Sequence, residues 1–309
     1  MVSTTKSVKL NKLRSNGSEI LYQIFIVTIV AIICITCIYP LIYVTGLSLT
    51  TNQELKDSIG KVFLFPLKPV FTAYRAILFG QSIFLNALFI SVSRTVVGTV
   101  TSLICTVMVG YTLSRKYLPG RKFFIIANLV TILFSGGLIP TYLVIRDIGL
   151  YNRFLVFIIP GLVQGWNCLV FQQFFQNIPQ DIEEAATIDG ASEFNLMSKV
   201  IVPMSTPVMA AIGLFTAVGH WNSWFDAAIY IRTANLQPLQ LVLQNIMTNP
   251  SAVSDMSMQA GLDQLGDTSI SSMSLKMAVA VIGTVPILCV YPFLQKYFIS
   301  GVYSGAVKE

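Results

Sequence analysis

The sequence has little charge and almost no histidine. Asp, Glu, Lys and Arg make up 11% of its 309 residues, and His220 is its one imidazole. A soluble globular chain carries about 25% charged residues, so an ordinary water-facing surface is excluded. A single histidine excludes an H-E-x-x-H zinc site, and no G-x-S-G stands in an apolar run to offer a serine nucleophile. No G-x-x-x-x-G-K-[ST] nucleotide loop occurs, so any ATP chemistry belongs to another chain. The five cysteines (Cys34, Cys37, Cys105, Cys168 and Cys289) all lie within apolar runs. The Cys34-x-x-Cys37 pair has neither a second pair nor a histidine beside it, and these residues read as small hydrophobes with no metal role. The first apolar stretch lacks an A-x-A cleavage pattern and follows about twenty mostly polar residues, which marks a retained span rather than a signal peptide.

What is present is apolar. Hydrophobic residues reach 54% and the mean hydropathy is +0.71. These values predict an all-α integral membrane protein, because a bilayer admits helices whose backbone bonds close within one segment. Six spans are expected, at about Ile20–Leu49, Phe84–Leu113, Phe123–Ile145, Phe154–Phe175, Pro207–Ile231 and Ser274–Phe298. Residues 1–19 and 299–309 are then tails flanking a membrane domain over 20–298. The net charge of +6 reports topology and not nucleic-acid binding, since the aromatics sit in the spans and not among basic clusters. Lys6, Lys9, Lys12 and Arg14 precede the first span. Arg115, Lys116, Arg121 and Lys122 fill the short loop after the second. The positive-inside rule therefore places both termini and the loop between spans four and five in the cytoplasm.

That loop is Asp181–Pro203, the longest charged, helix-forming stretch between apolar regions. Asp181 can cap one helix, with Glu183 and Glu184 in its first turn. Asp189-Gly190 breaks the run, and Ser192 can cap a second helix. Phe194, Met197 and Ile201 recur on one helical face, and Pro203 is expected to end it. The product is a helix pair suited to docking onto a soluble partner. In the fifth span, His220, Trp221, Asn222, Trp224 and Asp226 put unusual polar chemistry in a membrane segment. Indoles interleaved with Asn, Ser and Asp can stack on and hydrogen-bond a sugar ring. The same residues also suit the outer interfacial belt. Arg94 lies too deep in the second span to snorkel and needs an anion or backbone carbonyls, with Asp226 one partner within reach. Asn128, Gln164 and Asn167 are further polar residues able to face a cavity. Residues 236–247 carry Leu239, Val242, Leu243 and Ile246 at helical spacing, suited to the membrane surface or to a binding-protein contact.

The docking segment resembles the EAA loop of ABC importer permeases: E-A-A, three residues, Gly, nine residues, then I-x-L-P. Here Glu184-Ala185-Ala186 is followed by Thr187-Ile188-Asp189, Gly190 and, nine residues on, Val200-Ile201-Val202-Pro203, with Val at the pattern's Ile and Leu. Phe134–Tyr142, which includes Gly136 and Gly137, and Gly219–Trp224 are similar to the Gram-positive, complex-oligosaccharide subgroup of the maltose-permease branch. The resemblance implies a type I importer permease, with Glu183, Glu184, Ala185, Ala186, Asp189, Gly190, Phe194 and Pro203 coupling to an ATPase. It implies a substrate path touching Arg94, Gly136, Gly137, Asn167, Trp221, Asn222, Trp224 and Asp226. It also implies a second homologous permease, two ATPase subunits that bind ATP and magnesium, and an extracellular solute-binding lipoprotein delivering an oligosaccharide. No cofactor is expected in this chain. The rivals are an ion-gradient-driven transporter, which leaves the EAA segment unexplained, and an intramembrane enzyme, which lacks a positioned base.

Overall fold

The computed structural model describes residues 17–51, 54–55, 66, 68–80, 82–249 and 272–306. The basic N-terminal residues and residues 250–271 and 307–309 lie outside them. Among the described residues the regular structure is helical throughout. Ile20–Ser48, Phe84–Ser114 and Met273–Val290 are each long and apolar enough to cross a bilayer. Three bent pairs complete the set: Arg121–Leu133 with Leu138–Asp147, Phe154–Gly161 with Gly165–Gln176, and Glu193–Met204 with Thr206–Asn222. Counting each bent pair as one span gives six.

The second span (Ser82–Ser114) is the axis of the fold. It packs along Gly165–Gln176 and Thr206–Asn222. Small residues permit this closeness: a Cβ on Gly110 would fall 2.6 Å from the Phe171 Cβ. Helices in lipid associate by such close packing, because hydrocarbon offers no hydrophobic drive between them. The first span (Gly17–Ser48) is exposed from Ile20 to Tyr43 and is buried at its C-terminal end, where Leu47, Ser48, Leu49 and Thr50 pack inside. Its threonines do not present a free hydroxyl to lipid: Thr28 and Thr36 each donate to the carbonyl four residues back.

Three buried clusters divide the molecule. Ile77, Phe84, Trp221, Leu239, Leu243 and Val279 belong to one, which ties the second, fifth and sixth spans together. Ile90, Ile145, Phe157, Tyr230 and Leu241 lie in another. Tyr111, Phe171, Phe175, Leu196, Ile201 and Ile212 belong to the third, which fastens the docking segment to the bundle.

Several boundaries differ from the sequence reading. The third span is not one rod, because its halves meet at 115° across Phe134–Gly137. Gly137 there has φ 84° and ψ 176°, a conformation essentially reserved for glycine. The fifth span stops at Asn222, turns at Ser223-Trp224 and resumes over Phe225–Tyr230. The last helix runs Ser272–Ala306, through the expected boundary at 298. Leu239–Thr248 packs its apolar face on the bundle: Leu239, Leu241, Val242, Leu243 and Ile246 are all buried.

Candidate functional site

The docking segment is built from Gln180–Ile188 and Glu193–Met204. Asp181 sits in the first turn of the former, not at its cap, which is Pro179. Its carboxylate and that of Glu183 still favour the positive end of the helix. Gly190 turns the chain at φ +83°, and Ser192 caps the second helix by accepting from the Asn195 N–H. Pro203 does not end that helix. The chain widens into a π-turn over Met197–Ile201, passes Pro203 and breaks at Ser205, where the next helix departs at 82°. A π-turn shifts the buried face: Leu196 and Ile201, five apart, are buried, whereas Phe194 is 68% exposed.

One face of this segment is locked to the bundle. The Arg115 guanidinium, itself 8% exposed, pairs with Glu183 and lies over the Tyr111 ring, 4.1 Å from its centroid. Glu193 accepts from the Tyr111 hydroxyl at 2.7 Å and from the Tyr117 hydroxyl at 2.6 Å. These bonds, Tyr117's first, hold the Glu193 carboxyl below its ordinary range. Partial burial and then the bond to Glu193 push the Tyr117 phenol up to about 12. A cleft of about 480 Å³ lies between this segment and the 114–117 stretch. Ala186 packs half-buried against the bundle, while Glu184, Ala185 and Asp189 are exposed. Among the described residues Glu184 accepts from its neighbour Gln180 alone, so the anchor to the bundle is Glu183. Ile188 is 86% exposed. Arg115, Tyr111, Tyr117 and Glu193 were not legible as one group. The basic loop reads as a topology marker, and nothing local joins it to Glu183 across 68 residues.

The second site is a cavity of about 450 Å³ bounded by the second span and the broken segments of spans three to five. Arg94, 2% exposed, donates to Asp226 Oδ2 at 2.5 Å, to Asp226 Oδ1 at 3.4 Å and to the Ser223 carbonyl at 3.0 Å. Its guanidinium also lies 4.3 Å over the Phe157 ring. The cation thus sits at the C-terminal end of one half-helix and the anion at the N-terminal start of the next, both favourable to the helix dipoles. Asn167 lines this cavity and donates to Gln164 Oε1 at 2.8 Å. His220 lines it too, packed so closely on the second span that a Cβ on Gly98 would fall 2.5 Å from its Nε2. Asn128 donates instead to the Gly165 carbonyl at the break in span four.

The remaining path candidates lie elsewhere. Trp221 is buried, and its indole donates to the Gly283 carbonyl at 2.9 Å, a contact that joins spans five and six. Asn222 and Trp224 border a separate cavity of about 290 Å³ beside Leu239–Thr248. Gly136 and Gly137 mark the exposed break in span three and line neither cavity. No group of three or more His, Cys, Asp or Glu residues among the described residues is arranged to hold a metal ion.

Comparison with known proteins agrees with this architecture. The chain is 37% identical over 273 residues to the polygalacturonan/rhamnogalacturonan transport system permease protein YtcP of Bacillus subtilis (strain 168), covering 88% of this chain and 93% of that protein. It is also 37% identical over 271 residues to protein LplC of the same organism, covering 88% and 89%. Among solved structures it is similar, with a TM-score of 0.82 and 29% identity, to a chain of a bacterial ABC transporter involved in the import of the acidic polysaccharide alginate. That match covers 92% of this chain and 99% of the other. Residues 72–302 match a transport family across most of the bundle. With its spans, its broken helices and its docking helix pair, the chain belongs to the family of binding-protein-dependent transport system inner membrane components.

Proposed function

We propose that this chain is one permease subunit of an ATP-driven importer of oligosaccharides. A second, homologous permease completes the translocation path, two separate ATPase subunits bind ATP and magnesium, and an extracellular solute-binding lipoprotein delivers the glycan. Both termini and the docking segment face the cytoplasm of a bacterial cell. The observation that carries this reading is the two-faced docking segment. Its inner face is pinned by the Arg115–Glu183 pair and by Glu193 against two tyrosines, while Ile188 and Phe194 stand out at 86% and 68% exposure. A pinned element with exposed large apolar side chains is built to carry force from a soluble partner. Closure of the ATPase dimer then moves the pair as a rigid body and tilts spans three to five, opening the Arg94–Asp226 cavity to alternate sides of the membrane.

Gly190→Pro tests the mechanical link. Proline cannot adopt φ +83°, so the two helices lose their relative orientation. Reconstituted importer carrying the variant should hydrolyse ATP with uptake reduced at least about tenfold; normal uptake sinks the coupling assignment.

A further inference from the structure

The Arg94–Asp226 pair faces its cavity unevenly. The arginine side chain is 2% exposed and the aspartate side chain 28%. The carboxylate meets one edge of the cation, the Ser223 carbonyl accepts from Nη1, the Phe157 ring lies beneath, and Nε is buried with no hydrogen-bond partner. On the anion, Oδ1 takes donors from Arg94, the Ser223 hydroxyl and the Ala227 N–H, whereas Oδ2 takes Arg94 alone. A carboxylate offers about four lone-pair sites, so the spare acceptor capacity lies on Oδ2. The pair is neutral as a whole, yet the carboxylate is its more exposed partner.

The rest of the wall suits an uncharged ring. Gln164 and Asn167 supply amides, and Phe215, 67% exposed, supplies an apolar face. A Cβ on Gly219 would meet nothing within 4 Å, so the floor is open at that point.

We propose that this cavity is a hydroxyl-reading subsite for an uncharged sugar ring, with Asp226 Oδ2 accepting from ring hydroxyls, and that it disfavours a uronate carboxylate. Charge-assisted bonds from hydroxyls to a carboxylate are strong in a low-dielectric site, and a second carboxylate there meets like-charge repulsion with little screening. An acidic glycan passing this half of the path must turn its carboxylates toward the partner permease. The inference rests on the transport reading above and deepens it.

Equilibrium binding to the assembled importer without its binding protein provides the test, with galactotriose and trigalacturonate as probes. The readout is the ratio of the two Kd values. Asp226→Asn should move that ratio toward trigalacturonate by about tenfold. Gln164→Lys, on an exposed wall residue outside the ion pair, should move it the same way, and Gln164→Glu the opposite way. A ratio unmoved by both Gln164 variants overturns the subsite, whether or not Asp226→Asn assembles. ATP-driven uptake by the parent complex is measured in parallel: ratios that shift as stated without any uptake refute the transport reading and leave a binding site, whereas uptake with unmoved ratios refutes the subsite alone.

Discussion

At the residue scale, the docking segment depends on Glu183 more than on the neighbouring Glu184. Arg115 is 8% exposed, and its Nε and Nη2 have no partner of their own. Removing the Glu183 charge leaves a buried guanidinium without its carboxylate, a loss of about 1–3 kcal/mol. Glu183→Gln should therefore lower the thermal stability of the purified subunit and weaken coupling, while Glu184→Gln, which loses only the exposed bond to Gln180, should leave stability within about 0.5 kcal/mol. Equal effects of the two substitutions in a thermal-shift assay would contradict the assignment. The Glu193 contacts carry a pH signature. With its folded-state carboxyl held low, Glu193 contributes fully above the ordinary carboxylate range near about 4, and that contribution fades as pH falls through the lower folded value. The Tyr117 phenol is raised to about 12, so its contribution is full below the ordinary value of about 10 and is lost between there and 12. Tyr117→Phe should move Glu193 titration upward, as read by infrared titration of the carboxylate band; an unchanged midpoint would show that the bond does not hold the carboxyl.

At the scale of elements, broken helices set the geometry. Gly190 at φ +83° has open space around its α-carbon, so the cost of a side chain there is conformational and not steric. Gly190→Ala should cost about 1–2 kcal/mol and Gly190→Asn less, because asparagine visits the left-handed region more readily. Measured unfolding midpoints that rank Asn below Ala would argue against this turn. Between the second and fifth spans the constraint is steric. Gly98→Ala places a Cβ against the His220 ring, at an expected cost of about 1–3 kcal/mol for overpacking. Adding His220→Ala should recover much of that loss, and a double-mutant cycle with no coupling would place the strain elsewhere.

Much of this scale was legible in the sequence. The span count, the Ser192 cap, the Gly190 turn and the Arg94–Asp226 pairing all follow from local chemistry or from the need of a buried charge for a partner. What was not legible depends on distant contacts. The exposure of Phe194 follows from a π-turn that no residue type announces. Trp221 was assigned to the path because an indole suits a sugar, but its N–H found the Gly283 carbonyl 62 residues away. The 115° bend in span three was foreshadowed only by Gly136-Gly137, which signals a kink without giving its angle.

At the scale of the molecule, the chain leaves large apolar faces exposed. Its first span is exposed from Ile20 to Tyr43, and both Phe123 and Phe134 of the third span stand out at 69% and 73%. In a bilayer such faces meet lipid or another protein. The charge economy of the sequence has the same origin. The deeply buried cation at the middle of the second span is matched by one anion, and the other pinned cation, Arg115, lies beside the docking segment, where the driving subunit is proposed to dock.

The central claim is that force enters through Ile188 and Phe194. The most direct measurement replaces both with serine in the complete importer, reconstituted in proteoliposomes, and records glycan uptake together with ATP hydrolysis stimulated by the binding protein. The account predicts that ATP-driven uptake and binding-protein-stimulated hydrolysis both fall at least about tenfold, while the substituted subunit still inserts and folds. Uptake that persists at the parental rate, or that follows an imposed ion gradient without ATP, would contradict it.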